Sequence, residues 1–110
     1  MTKVKFFADK KGLCGFVISG HSSKNCDDEV GKTVCAAVSS AAYMAANTII
    51  EIIGDSCKAE VSEAKMSVLI DNPSDSSRTV LEGLRLHLSE LSDQYGNNIR
   101  LHGGAEDVKD

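Results

Sequence analysis

The chain has 110 residues, 42% of them hydrophobic and 25% charged, which is room for one globular domain and excludes a second. Twelve basic against sixteen acidic residues leave a formal net charge of -4, so a partner held by bulk positive charge is disfavoured. No apolar run reaches the roughly 18 to 20 residues of a membrane span.

Lys3, Lys5, Lys10 and Lys11 cluster near the start, the other basic residues are scattered along the chain, and the few aromatics offer little for bases to stack on, so no direct nucleic-acid contact is expected. The opening Met1-Thr2-Lys3-Val4-Lys5 lacks the apolar segment of a signal peptide. The expectation is a cytoplasmic protein without membrane contact. Cytosolic thiols are normally reduced, so Cys14, Cys26, Cys35 and Cys57 are read as core fillers, ligands or nucleophiles and not as two disulfides.

Residues 4–7 and 13–19 read as two strands of a hairpin, joined through the turn residues Asp9-Lys10-Lys11-Gly12. From 20 to 32 the chain is polar, with the acidic run Asp27-Asp28-Glu29, and reads as a mobile surface loop. Residues 33–53 then run without Gly or Pro and carry Val34, Val38, Ala41, Ala42, Ala45, Ile49 and Ile52 at helical spacing, with Gly54 as the stop. Small side chains in the first half of this helix suit close packing on a sheet.

Residues 58–62 and 65–70 read as a second strand pair, with Met66, Val68 and Ile70 alternating toward one face. After Asp71-Asn72-Pro73, a second helix over 76–95 aligns Val80, Leu81, Leu84, Leu88, Leu91 and Tyr95, capped by Asp75 or Ser76. Residues 99–101 suit a last short strand, and 103–110 a flexible polar tail. The order ββαββα(β) predicts a two-layer α+β domain over residues 1–110, with its helices packed on one sheet.

The chemistry concentrates on Cys35. The predicted helix start places it in the first turn, where unpaired N–H groups and the macrodipole favour a thiolate and could hold an oxyanion, with Lys32 as a nearby cation. His21 stands at the mouth of the loop that leads back to Cys35, and an imidazole there could serve a cysteine nucleophile as base and acid. Spacing alone leaves other readings open. A free Cys is commonly a packing residue, Cys26 and Cys35 could form a reversible redox pair, and Cys14, His21, Cys26 and Cys35 are metal-competent types without a metal-ligand spacing. His87 and His102 read as structural or solvated.

Gly20-His21-Ser22, followed after a loop by Val34-Cys35-Ala36-Ala37-Val38-Ser39-Ser40, resembles the signature of the ribosomal-processing cysteine protease family. The resemblance covers nearly the whole chain. It implies a small homodimeric endopeptidase that removes the N-terminal extension of a large-subunit ribosomal protein, and neither a cofactor nor a metal is expected. It further implies that His21 and Cys35 form the catalytic dyad, that Gly20 lets the chain turn beside it, and that Ser39 is a supporting residue one helical turn after Cys35. Two departures stand out: Lys32 occupies a position where the family carries Asp, which leaves Asp27, Asp28 or Glu29 as substitutes, and the loop between His21 and Cys35 is longer. A non-catalytic ribosome-assembly or protein-binding module on the same fold is the alternative.

Overall fold

In the computed structural model, residues 1–20 and 28–102 and the backbone of 106–107 are described. The first strand, β1 (Thr2–Asp9), turns into β2 (Gly12–Ser19) as an antiparallel hairpin with Val4 opposite Ile18 and Phe6 opposite Phe16. The turn is held by Asp9, whose Oδ1 accepts from the backbone N–H groups of Lys11 and Gly12 at 2.9 and 3.2 Å. A register shift between Phe7 and Ala8 lets both Leu13 and Cys14 become buried.

Helix α1 (Glu29–Asn47) begins four residues before the position expected from the sequence. The acidic run that reads as loop is its cap: Asp28 accepts from the Gly31 N–H at 2.9 Å, and Glu29 sits in the first turn, where the helix dipole favours a carboxylate. The last stretch, Thr48–Ile53, widens into a π-helical segment, and Gly54 closes it with φ +84° and an N–H bond to Ile49 O at 2.9 Å. The wider turn rotates the apolar stripe out of register. Ile49 is fully buried, whereas Ile52, placed on the same stripe by a 3.6-residue period, is 79% exposed.

The second hairpin, β3 (Cys57–Ser62) and β4 (Lys65–Ile70), follows as the spacing predicts. Helix α2 (Asp75–Gln94) is capped by Ser74 and not by Asp75 or Ser76. Asp55 secures that cap: its Oδ2 accepts from Ser74 N–H at 2.9 Å, Ser74 Oγ at 2.8 Å and Ser77 Oγ at 2.6 Å. Strand β5 (Ile99–Leu101) then pairs parallel to β1, and β6 (Glu106–Asp107), within the tail read as flexible, continues along the same edge.

The sheet order is β3-β4-β2-β1-β5, with both helices on one face, so the architecture is the two-layer α+β domain read from the sequence. Val4, Phe6, Phe16, Ile18, Val68 and Ile70 of the sheet meet Val34, Val38, Ala42, Ile49, Leu81, Leu84 and Leu88 of the helices. The 29–53 helical stretch is long and apolar enough to cross a membrane by length and composition, contrary to the run-length reading, but one side of it is this core. Strand β3 lies beyond the helix layer, and Lys58 to Ser62 are exposed.

Candidate functional site

Cys35 is seven residues into α1 and half-buried. It is therefore in the second turn and not the first. Six residues at 1.5 Å each put it roughly 9 Å along the axis from Glu29, so the unpaired N–H groups and the dipole of the helix start do not reach it. Contrary to the helix start predicted at Thr33, the Asp28 cap begins the helix at Glu29, and Cys35 loses the helix-end stabilisation expected for its thiolate. Lys32, one turn before Cys35, is 51% exposed on its side chain and lies 3.9 Å from Glu29 Oε1.

Of the carboxylates considered as substitutes for the Asp that Lys32 replaces, Asp28 is engaged at the helix cap and Glu29 is 87% exposed. Asp27 lies outside the described residues, as do His21 and Cys26. Neither the expected pairing of His21 with Cys35 nor the redox pair of Cys26 with Cys35 is therefore described.

What the fold does bring together is a cleft of about 260 Å³. One wall is α1, through Cys35, Val38, Ser39, Ala42 and Tyr43. Residues 35, 39 and 42–43 recur at helical spacing, so the wall is a single stripe of the helix. The other wall is the tip of the β3–β4 hairpin, residues 61–66, and the floor includes Thr2, Ile18 and Gly20. Three of the four site residues read from the sequence, Gly20, Cys35 and Ser39, thus border one cleft, although 15 residues separate the first two.

Gly20 holds this corner together. Its φ of +84° is a left-handed backbone that side chains disfavour, its N–H donates to Ala64 O at 2.9 Å, and a Cβ there would stand 2.4 Å from Met1 O. The hairpin tip, β2 and the N-terminus meet at that point only because no side chain intervenes. Gly20 is also the covalent neighbour of His21.

The hairpin wall, with Val61, Ala64 and Met66, and the aromatic Tyr43 are site features that the sequence reading missed. Tyr43 carries a readable signal, being two turns beyond Cys35. The hairpin carries none, because its approach to α1 is set by strand order.

The other described cysteines are structural. Cys14 is buried, and Cys57 opens β3 half-buried, its thiol pushed up by burial and by the carboxylates of Asp71 and Asp55. Among the described residues, Cys14, Cys35 and Cys57 form no disulfide. Among the described residues, no group of three or more His, Cys, Asp or Glu could hold a metal ion.

The family model of the cysteine protease Prp matches residues 1–100. The chain belongs to the Prp family. Solved structures agree on the fold. The essential ribosomal processing protease Prp from S. aureus, in complex with a covalently linked product peptide, superposes with a TM-score of 0.78 at 18% identity, over 98% of this chain and 100% of that one. The same protease in complex with a substrate peptide gives 0.81 at 17% identity, covering 93% and 98%. SMU.848 from Streptococcus mutans gives 0.84 at 16% identity, covering 98% and 96%. No curated protein matches.

Proposed function

We propose that this member of the Prp family is a cytoplasmic, homodimeric cysteine endopeptidase that removes the N-terminal extension of a large-subunit ribosomal protein, with Cys35 as nucleophile and His21 as general base and acid. The observation that carries the reading is the cleft: it presents the half-buried Cys35 between α1 and the β3–β4 hairpin, and Gly20, the residue before His21, forms part of it. The S. aureus protease, which shares the fold, holds a substrate peptide in one structure and a covalently linked product peptide in another.

In this reading a peptide lies extended in the cleft, beside the outer edge of β3, which among the described strands pairs with β4 alone, so main-chain hydrogen bonds can be added to the sheet. His21 takes the proton from Cys35 Sγ, and the thiolate forms a C–S bond to the scissile carbonyl carbon. The tetrahedral intermediate collapses, the C–N bond breaks, and His21 delivers its proton to the leaving amine. Water, deprotonated by His21, then attacks the thioester, releasing the carboxylate product and restoring the thiol. Val61, Met66, Ala42 and Tyr43 give the cleft an apolar lining for substrate side chains.

The test is mass spectrometry of the candidate ribosomal protein after incubation with wild type, Cys35→Ser and His21→Ala. Wild type is expected to yield a shortened protein and both variants the intact one. If wild type leaves the substrate intact while both variants still bind it, the reading gives way to a non-catalytic ribosome-assembly or protein-binding module, the alternative that Lys32 in place of the family's Asp favours.

A further inference from the structure

Strand register gathers cations that the linear sequence scatters. On the sheet face turned away from the helices, Lys65 pairs across to Ser19, Ser19 to Lys3, and Lys3 to Arg100, so one transverse row carries three exposed cations around a serine. Adjacent strands are roughly 5 Å apart, which makes the row a continuous strip. The next rows add Lys5 beside Val17, and Lys58 beside Leu69 and, across Gly15, Phe7. By register the acidic positions on this face are Glu60, beside Ser67, and Glu106, beside Phe7 at the β6 edge.

The helical side is the reverse, with Glu29, Glu51, Asp75, Glu82, Glu90 and Asp93 all exposed. A net charge of -4 therefore conceals a basic sheet face and an acidic helix layer. Lys3 and Arg100 stand directly opposite each other, a like-charged pairing that costs the sheet stability. An external anion relieves that repulsion. Between Lys3, Lys5, Ser19, Arg100 and His102 the face sinks into a pocket of about 300 Å³.

We propose that this open sheet face is a docking surface for single-stranded nucleic acid. Charge complementarity supplies the backbone contacts, with the Lys3–Lys5–Arg100 pocket taking phosphate groups and Ser19 adding a hydroxyl donor. The half-buried Phe7, with Val17 and Leu69, gives bases an apolar platform on the same face, the combination by which sequence-tolerant single-strand binders work. That platform is what favours a nucleic acid over an acidic peptide. Lys65, at one end of the row, also borders the Cys35 cleft, whereas the Lys3–Lys5–Arg100 pocket lies on the other side of the sheet, so binding there is read separately from peptidase activity.

The experiment is fluorescence anisotropy of labelled 20-nucleotide oligo(U) and oligo(dT) with the full chain, titrated in KCl and competed with polyglutamate. Three or four phosphate contacts predict that raising KCl from about 50 to about 200 mM weakens binding roughly 20- to 50-fold. The double variant Lys3→Glu/Arg100→Glu should lose at least about tenfold in affinity and flatten the salt slope by about 1.4. Phe7→Leu, which keeps an apolar side chain and removes the ring, should lose about fivefold. Lys10→Glu/Lys11→Glu, the same charge change at the β1–β2 turn, should lose less than about twofold.

Oligo(U) binding tighter than oligo(dT), or the reverse, assigns the sugar preference within the proposal. Absence of binding at low salt overturns it, as does equal loss in both double variants. Polyglutamate competing as well per charge as either oligonucleotide, with Phe7→Leu unchanged, replaces it with an acidic-peptide surface. Circular dichroism melts on each variant separate lost binding from lost fold.

Discussion

Arg78 grips Asp9 with both prongs of its guanidinium, Nη1 to Oδ1 at 2.8 Å and Nη2 to Oδ2 at 2.9 Å, and Nη1 also donates to Leu13 O at 3.1 Å. The pair joins the first turn of α2 to the β1–β2 turn, 69 residues away in the chain. With side chains only 12% and 16% exposed, it lies between a surface ion pair and a buried one. Asp9→Ala leaves Arg78 without its carboxylate and frees two turn N–H groups, so a loss of about 2 kcal/mol is expected. Thermal denaturation should show a Tm lower by roughly 8 °C or more.

Acid should act through the same carboxylate and one other. The Arg78 hydrogen bond, against an opposing effect of burial, holds Asp9 below the usual carboxylate range, and the Ser77 hydroxyl with the N–H and hydroxyl of Ser74 does so for Asp55. A pKa lowered by folding means that the unfolded chain takes up the proton first as pH falls. The stability these groups confer is full above the ordinary Asp value of about 3.9 and disappears as pH drops through the lower folded values. Tm should be flat from about pH 7 to pH 5 and fall below about pH 4. In Asp9→Asn/Asp55→Asn that acid fall should be shallower, starting from a lower plateau.

Thiol accessibility should rank the cysteines. In a Cys26→Ser background at neutral pH, iodoacetamide followed by peptide mapping should label Cys35 first. Cys57, its thiol raised by burial and two carboxylates, should react more slowly than a free thiol, and Cys14 only on unfolding. Labelling of Cys14 ahead of Cys35 would contradict the described burial.

Gly20→Ala sets a methyl group against Met1 O in a left-handed backbone. A destabilisation of about 1–3 kcal/mol is expected, together with a shift of the N-terminus from the cleft. Peptide cleavage should then show a raised KM. Unchanged Tm and KM would mean that the corner accommodates a side chain.

Ser39→Leu tests the cleft without touching the core. Ser39 is exposed on α1 and leucine is a strong helix former, so Tm should hold within about 0.5 kcal/mol of wild type. Filling part of a space of about 260 Å³ should nevertheless reduce cleavage of a peptide substrate at least tenfold. Full activity in this variant would place the peptide elsewhere.

Local patterns determined much of this protein. The alternation of Met66, Val68 and Ile70, the leucine stripe of α2 and the Asp9–Gly12 turn dictate the elements and the α+β class, because each reports on neighbours within a few residues. The Gly-His and Val-Cys-Ala-Ala-Val-Ser motifs pointed to the family that the match over residues 1–100 establishes. The start of α1 misled because Asp28 and Glu29 look alike as loop residues and as a helix cap. Ile52 misled because a π-helical turn changes the period that the pattern assumes.

Tertiary structure alone decided that the β3–β4 tip forms the wall opposite Cys35, that Gly20 lies against Met1, and that Lys3, Lys65 and Arg100 share one row. Such neighbours are set by strand order and register, which join residues distant in the chain. The physical reason is that pairing is fixed by which apolar faces can be buried together, a property of the whole sheet and both helices that no short stretch of sequence contains.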